Sequence, residues 1–319
     1  MRFYCSVLMI GLLALPAVAA PVLDGIRDGS YNLRAVQTLE TQFGDANPNS
    51  GSELDAAWAQ FDGGVLYLML TGNLENNFNK LNVFIDSVPG GQNQLQADAN
   101  SGGNNPENDG WANKHAGFMF DAGFEADYLV ILRNGNFGGD RFDIDYAVIG
   151  GGLGAFQNAS FVFGSSLTGS NAAALPNGIG VAHDRSNTAG VVGGTGAANQ
   201  AAAAAVTTGI ELAIPLSAIG NPNLLDIKVS AMINGSNHDY LSNQFLGGLP
   251  TGLGNAPDCG GGLGTGNLGG DGACHFTGNV AGINLKNFAG DQFFTVVPEP
   301  STWVLFGLAL ATAVCGRRR

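Results

Sequence analysis

The chain has 319 residues, with 26 acidic side chains against 13 Lys and Arg, a formal charge of −13 and a pI near 4.4; that balance excludes wrapping a nucleic-acid backbone, which needs clustered cations. Hydrophobic residues make up 45% and charged ones only 12%, too apolar for a wholly disordered chain. The 50 glycines follow no triplet period, which excludes collagen, and with so few charges they favour strands and loops over charged surface helices.

Met1-Arg2-Phe3, an apolar run over 7–15, and then Pro16 and Ala17-Val18-Ala19-Ala20 stand in the order of a secretory signal. Ala17 and Ala19 form the A-x-A site, with cleavage expected after Ala19 because cleavage one residue later would leave Pro21 first. The rival reading, an N-terminal anchor, would need about 20 apolar residues. The expected division is a signal peptide at 1–19, a secreted body at 20–297 and a tail at 298–319. Without both ends the body has nine basic and 25 acidic residues, a charge of −16, which favours solubility and attracts cations.

Along the body, continuous apolar runs at 65–70 and 128–132 predict central strands covered on both faces. The run at 81–86 predicts another strand. Phe142, Ile144, Tyr146 and Val148 alternate with polar residues, as do Ile210, Leu212 and Ile214, and Leu225, Ile227, Val229 and Ala231. These predict half-buried antiparallel strands, with Asp143 on an outward face. A last strand is expected over 292–297. Turn signals fall at Asp62-Gly63-Gly64, 88–91, Asn134-Gly135-Asn136 and Asn234-Gly235. One short helix is expected at 216–220. The stretches 92–109, 190–205 and 252–272 read as long loops; the Ala201–Ala205 run is too short for a helix alone. The array reads as all-β: an antiparallel, jelly-roll-like β-sandwich with long Gly/Asn-rich loops, as one domain or two, between an N-terminal signal helix and a short C-terminal transmembrane helix.

Cys259 and Cys274 are the two cysteines inside the body, and an oxidising compartment favours a disulfide between them; a metal or redox pair has no C-x-x-C to support it. His115, His183, His238 and His275 are scattered and read as solvated loop residues. The loop at 98–109 offers oxygen ligands, Asp98, Glu107 and Asp109 among them, so calcium is the one ion its composition suits; a solvated polar loop is the plainer reading. Trp58 and Tyr67 lie in strands and read as core, which leaves Trp111 as the residue for stacking on a sugar ring. No G-x-S-x-G elbow or H-E-x-x-H motif occurs, so no enzymatic role and no cofactor are expected.

The tail carries Pro298-Glu299-Pro300, an apolar segment at 303–315 and Arg317, Arg318 and Arg319. Residues 301–316, as a helix, would reach roughly 24 Å against a bilayer core of about 30 Å, a short anchor with its arginines held cytoplasmic. This three-part tail resembles the PEP-CTERM sorting signal of Gram-negative bacteria. The resemblance implies transient inner-membrane anchoring, recognition by an exosortase after signal peptidase has acted, and release to the cell surface or extracellular matrix. Members often occur in bacteria that make exopolysaccharide.

The body carries Val22-Leu23-Asp24-Gly25, Gly64-Val65-Leu66-Tyr67-Leu68, Val83-Phe84-Ile85-Asp86 and Gly209-Ile210-Glu211-Leu212-Ala213-Ile214-Pro215. It resembles family-nine-type carbohydrate-binding and DOMON-like sandwiches, which implies the same fold and a sugar as ligand. The expected function is a non-enzymatic exported module associated with exopolysaccharide or biofilm. The alternatives are a structural or adhesive surface protein without a small ligand, and a secreted carbohydrate-active hydrolase.

Overall fold

The computed structural model describes residues 19–44, 51–97, 110–149, 157–162, 171–249 and 266–296. Two antiparallel sheets dominate it. The first holds β1 (Asn32–Val36), β2 (Glu53–Asp62), β3 (Val65–Asn73), β8 (Asn171–Ala174), β9 (Gly180–His183) and β10 (Gly209–Pro215), in the order β1-β2-β3-β10-β9-β8. The second holds β4 (Lys80–Asp86), β5 (Tyr128–Asn136), β6 (Asp140–Val148), β7 (Gln157–Val162), β11 (Lys228–Asn234) and β12 (Leu241–Leu246), in the order β12-β11-β4-β5-β6-β7, with β13 (Phe294–Thr295) also on β11. The chain passes from the first sheet to the second and back again, so β10 returns beside β3 and β11 beside β4.

The first core lies between the sheets. Leu66, Leu68 and Leu70 of β3 meet Ile210, Leu212 and Ile214 of β10 on one side, and Val83, Val130, Phe142 and Ile144 face them from the other sheet. Their spacing of two residues places each set on one face of its strand, as the alternation predicts. The β2–β3 hairpin turns through Gly63 and Gly64, whose φ of 56° and 83° match the positive angles a two-residue I′ turn demands.

A second core covers the opposite face of the seven-stranded sheet. Phe84, Leu129, Ile131, Met232 and Phe245 meet Phe118, Phe120 and Phe124 from the connecting segments. Phe120 packs edge-on against Phe84 and Phe118, at 5.0 Å between ring centres in each case, the geometry aromatic quadrupoles prefer. The double coverage expected of β5 therefore holds, whereas β6 and β11, read as half-buried, are buried on both faces.

Other differences have local causes. Leu225 sits in a 3-10 turn, Leu224–Asp226, and is exposed, so β11 begins at Lys228. Asn134-Gly135-Asn136 belongs to β5, not to a turn. Gly135 is there because a Cβ would lie 2.2 Å from the Phe78 ring; the chain reverses over 137–139 instead. Helix α1 is Trp111–His115, and the alanine run forms α2 (Gln200–Ala205), capped by the Asn199 side chain, which accepts from Ala202 N–H. The helix expected at 216–220 is a 3-10 turn, Leu216–Ile219. Among the described residues no helix is long and apolar enough to cross a membrane; the two expected terminal helices lie outside them.

Candidate functional site

The N-terminal segment is strapped across the open face of the six-stranded sheet. Ile26 bridges Thr208, and Gly209 N–H donates to Gly25 O. The strap is clasped by Glu211, whose carboxylate lies on the face opposite the first core and is fully buried. It accepts Tyr31 Oη at 2.5 Å and the backbone N–H groups of Asp24 and Gly25 at 2.9 and 3.0 Å. Burial pushes this carboxyl up, and its three donors oppose the shift. The Asp24-Gly25 and Glu211 motifs, far apart in sequence, thus meet in one buried bond set.

Trp58 and Tyr67 occupy the same open face, on adjacent strands, and both are partly exposed. Arg27 stacks on Trp58, with its guanidinium carbon 3.9 Å from the ring centre. Asn32 Nδ2 reaches Gln60 Oε1 at 3.4 Å beside them. Neither aromatic ring is core, contrary to the sequence reading. Trp111, in contrast, is buried at 4% exposure in the second core beside His115; its indole shows no stacking face to solvent, because residues 111–115 form α1 and pack into that core.

The polar half of the second sheet's covered face is a buried ladder. Arg133 and Asp143 stand opposite each other in β5 and β6, 3.4 Å apart, and Arg133 also pairs with Asp145. Arg141 Nε donates to Asp143 at 3.1 Å. Asp143 is therefore buried among arginines, not outward-facing. A lysine there would leave cations unpaired in the interior, a loss of about 3–5 kcal/mol.

Next to this ladder lie His115 and His238, both fully buried, with ring centres 5.1 Å apart. His115 Nδ1–H donates to the Trp111 carbonyl at 2.9 Å, which leaves Nε2 to accept Asn82 Nδ2 at 3.0 Å and Asn234 Nδ2 at 3.3 Å. His183 is buried against Phe142, 4.7 Å away. Only His275 is solvated, paired at 2.7 Å with Asp271. Burial lowers His115 to about 4 and His183 to about 3, and it lowers His238 well below its ordinary value.

These shifts fix the direction of acid sensitivity. The imidazoles are neutral when folded and titrate near 6.5 when unfolded, so stability is lost as pH falls below about 6.5. At pH 5 each contributes a loss of roughly 2 kcal/mol. Burial raises Asp121 to about 6 and also raises Asp127, Glu75 and Glu211; these have the opposite sign, Asp121 offsetting about 1 kcal/mol against the three imidazoles. The melting temperature is expected to fall clearly between pH 7 and pH 5; a flat or rising profile would contradict neutral buried histidines.

A surface pocket of about 410 Å³ opens at one end of the second sheet, lined by Asp86, Val88, Glu125, Leu225, Asp226 and Lys228. Asp86 Oδ2 holds Lys228 Nζ at 3.0 Å and accepts Glu125 N–H at 3.1 Å. The calcium residues Asp98, Glu107 and Asp109 lie outside the described residues, and among those described no cluster of three His, Cys, Asp or Glu could hold a metal. Cys274 is described, at φ 75°, and is not a free thiol; Cys259 lies outside the described residues. At the termini, Ala19 and Ala20 are exposed, while Ala17, Pro298, Glu299, Pro300 and Arg317 to Arg319 lie outside. Val296, fully buried in the first core, is the last described residue, and its N–H bonds Ile227 O.

The molecule is thus, over its described residues, a two-sheet antiparallel β protein. A family model described as the PEP-CTERM protein-sorting motif matches residues 296–319. No curated protein and no solved structure matches the chain. The chain carries this sorting motif: it is an exported protein of the cell envelope or surface, with an exosortase as its processing partner.

Proposed function

We propose that this protein is a non-enzymatic module that resides in the exopolysaccharide matrix of a Gram-negative cell and binds it. The observation that carries the reading is the pair Trp58 and Tyr67, partly exposed on the open face of the six-stranded sheet. Aromatic faces suit the C–H faces of pyranose rings, and the amides of Gln60 and Asn32 beside them suit hydroxyl groups. The buried ionisable groups are engaged in the fold: Glu211 in the clasp, His115 between amides and a carbonyl, and Asp143 and Asp145 in the arginine ladder. A disulfide from Cys259 to Cys274 belongs to the same proposal and would pin the glycine-rich loop between them.

Cell fractionation tests the reading. The exported protein is expected to sediment with the matrix of polysaccharide-producing cells and to pass into the medium when polysaccharide synthesis is blocked. The same distribution in both strains would contradict it and favour an adhesive surface role.

A further inference from the structure

The open face of the first sheet carries an unanswered positive charge in a strongly negative body. Arg27 is fixed on the Trp58 indole, half-buried, and its Nε atom has no hydrogen-bond partner among the described residues. Arg34, on the edge strand β1, is in the same condition. No carboxylate of the described residues pairs with either guanidinium, although acidic residues are the majority in this chain. The two carboxylates near Arg27 in sequence bond backbone N–H groups instead of it, Asp24 accepting from Ile26 at 2.9 Å and Asp28 from Val22 at 2.7 Å, and Glu211, farther along the chain, is filled by its three donors. Leu33, opposite Trp58 in register, is 43% exposed and extends the apolar part of the face.

We infer that this face takes an acidic polysaccharide, with a uronate carboxylate on Arg27, which Trp58 holds in place, and a sugar ring on Tyr67. The inference rests on the matrix-binding reading and gives it a site and a ligand class. A guanidinium is the side chain best shaped for a carboxylate, since its fork donates two parallel hydrogen bonds. Stacking on the indole fixes the fork beforehand, so less freedom is lost when a ligand arrives. A neutral glycan would fill the aromatic part of the face and leave the cation unpaired.

The test uses the protein as the cell exports it, expressed with its export signals and collected from the outer fraction, in affinity electrophoresis through gels containing alginate or neutral dextran. The wild type is expected to be retarded by alginate, and by dextran at least about tenfold more weakly. Arg27→Ala and Trp58→Ala should each weaken alginate binding about tenfold, Arg27→Ala at a nearly unchanged melting temperature and Trp58→Ala at a lowered one but still folded by circular dichroism. Arg27→Lys, which keeps the charge and loses the fork, should fall between. Retardation by alginate that neither Arg27→Ala nor Trp58→Ala reduces would overturn the site and leave the matrix reading standing. Equal retardation by dextran and alginate would overturn the acidic ligand. Absence of wild-type retardation in both gels would overturn the site and count against the matrix reading as well.

Discussion

Leu68→Asp is expected to yield no folded protein. Leu68 has no exposed surface, stands between Ala59 of β2 and Leu212 of β10, and points into the core shared by both sheets. A carboxylate there has no cation to pair with, and burying it costs several kcal/mol beyond the lost apolar contacts. A domain of this kind is held by only about 5–15 kcal/mol. Asn32→Asp is the contrasting change. Asn32 is exposed on the edge strand β1, so the added charge should alter stability by less than about 0.5 kcal/mol. Circular dichroism of the two variants decides the matter: sheet signal for Asn32→Asp and its loss for Leu68→Asp. A folded Leu68→Asp protein would show that the two sheets do not share this core.

Glu211→Ala is the second large effect, expected to cost about 3–5 kcal/mol because it strands a buried hydroxyl and two backbone N–H groups without an acceptor. The loss should concentrate in the N-terminal strap, whose bonds to Glu211 span 180 to 187 residues of sequence. Glu211→Gln keeps an accepting oxygen in place and should cost well under half as much. The Tyr31 hydroxyl, held in its protonated form by burial and then by the Glu211 charge, marks the strap directly. Urea unfolding of both variants gives the comparison; equal stability for Ala and Gln would mean that the carboxylate does not hold the strap.

The linear parts of this molecule were the readable parts. The three-part tail needs no fold to be recognised, since an apolar segment between a Pro-Glu-Pro motif and three arginines is complete in sequence. The first core was also readable, because a period of two places Phe142, Ile144 and Tyr146 on one face whatever surrounds them. What periodicity omits is the identity of the layer above the other face. Asp143 alternates as an outward residue does, yet Arg133 accompanies it into the interior and Arg141 closes over it from the rim. Phe118, Phe120 and Phe124 lie among glycines and aspartates with no strand period, so the second core they build was hidden. Trp111 is buried and Trp58 and Tyr67 partly exposed, the reverse of the sequence reading, for the same reason. The Glu211 clasp left one signal, a lone carboxylate in the apolar strand β10, and its partners lay at the far end of the body.

The central claim, that this is an exported protein sorted and processed through its tail, is tested most directly by intact-mass measurement of the protein recovered from the cell surface or medium. The account predicts a mature chain that begins at Ala20 and has lost the tail with Arg317, Arg318 and Arg319. A full-length mass, with Met1 and Arg319 both present in the outer fraction, would contradict it.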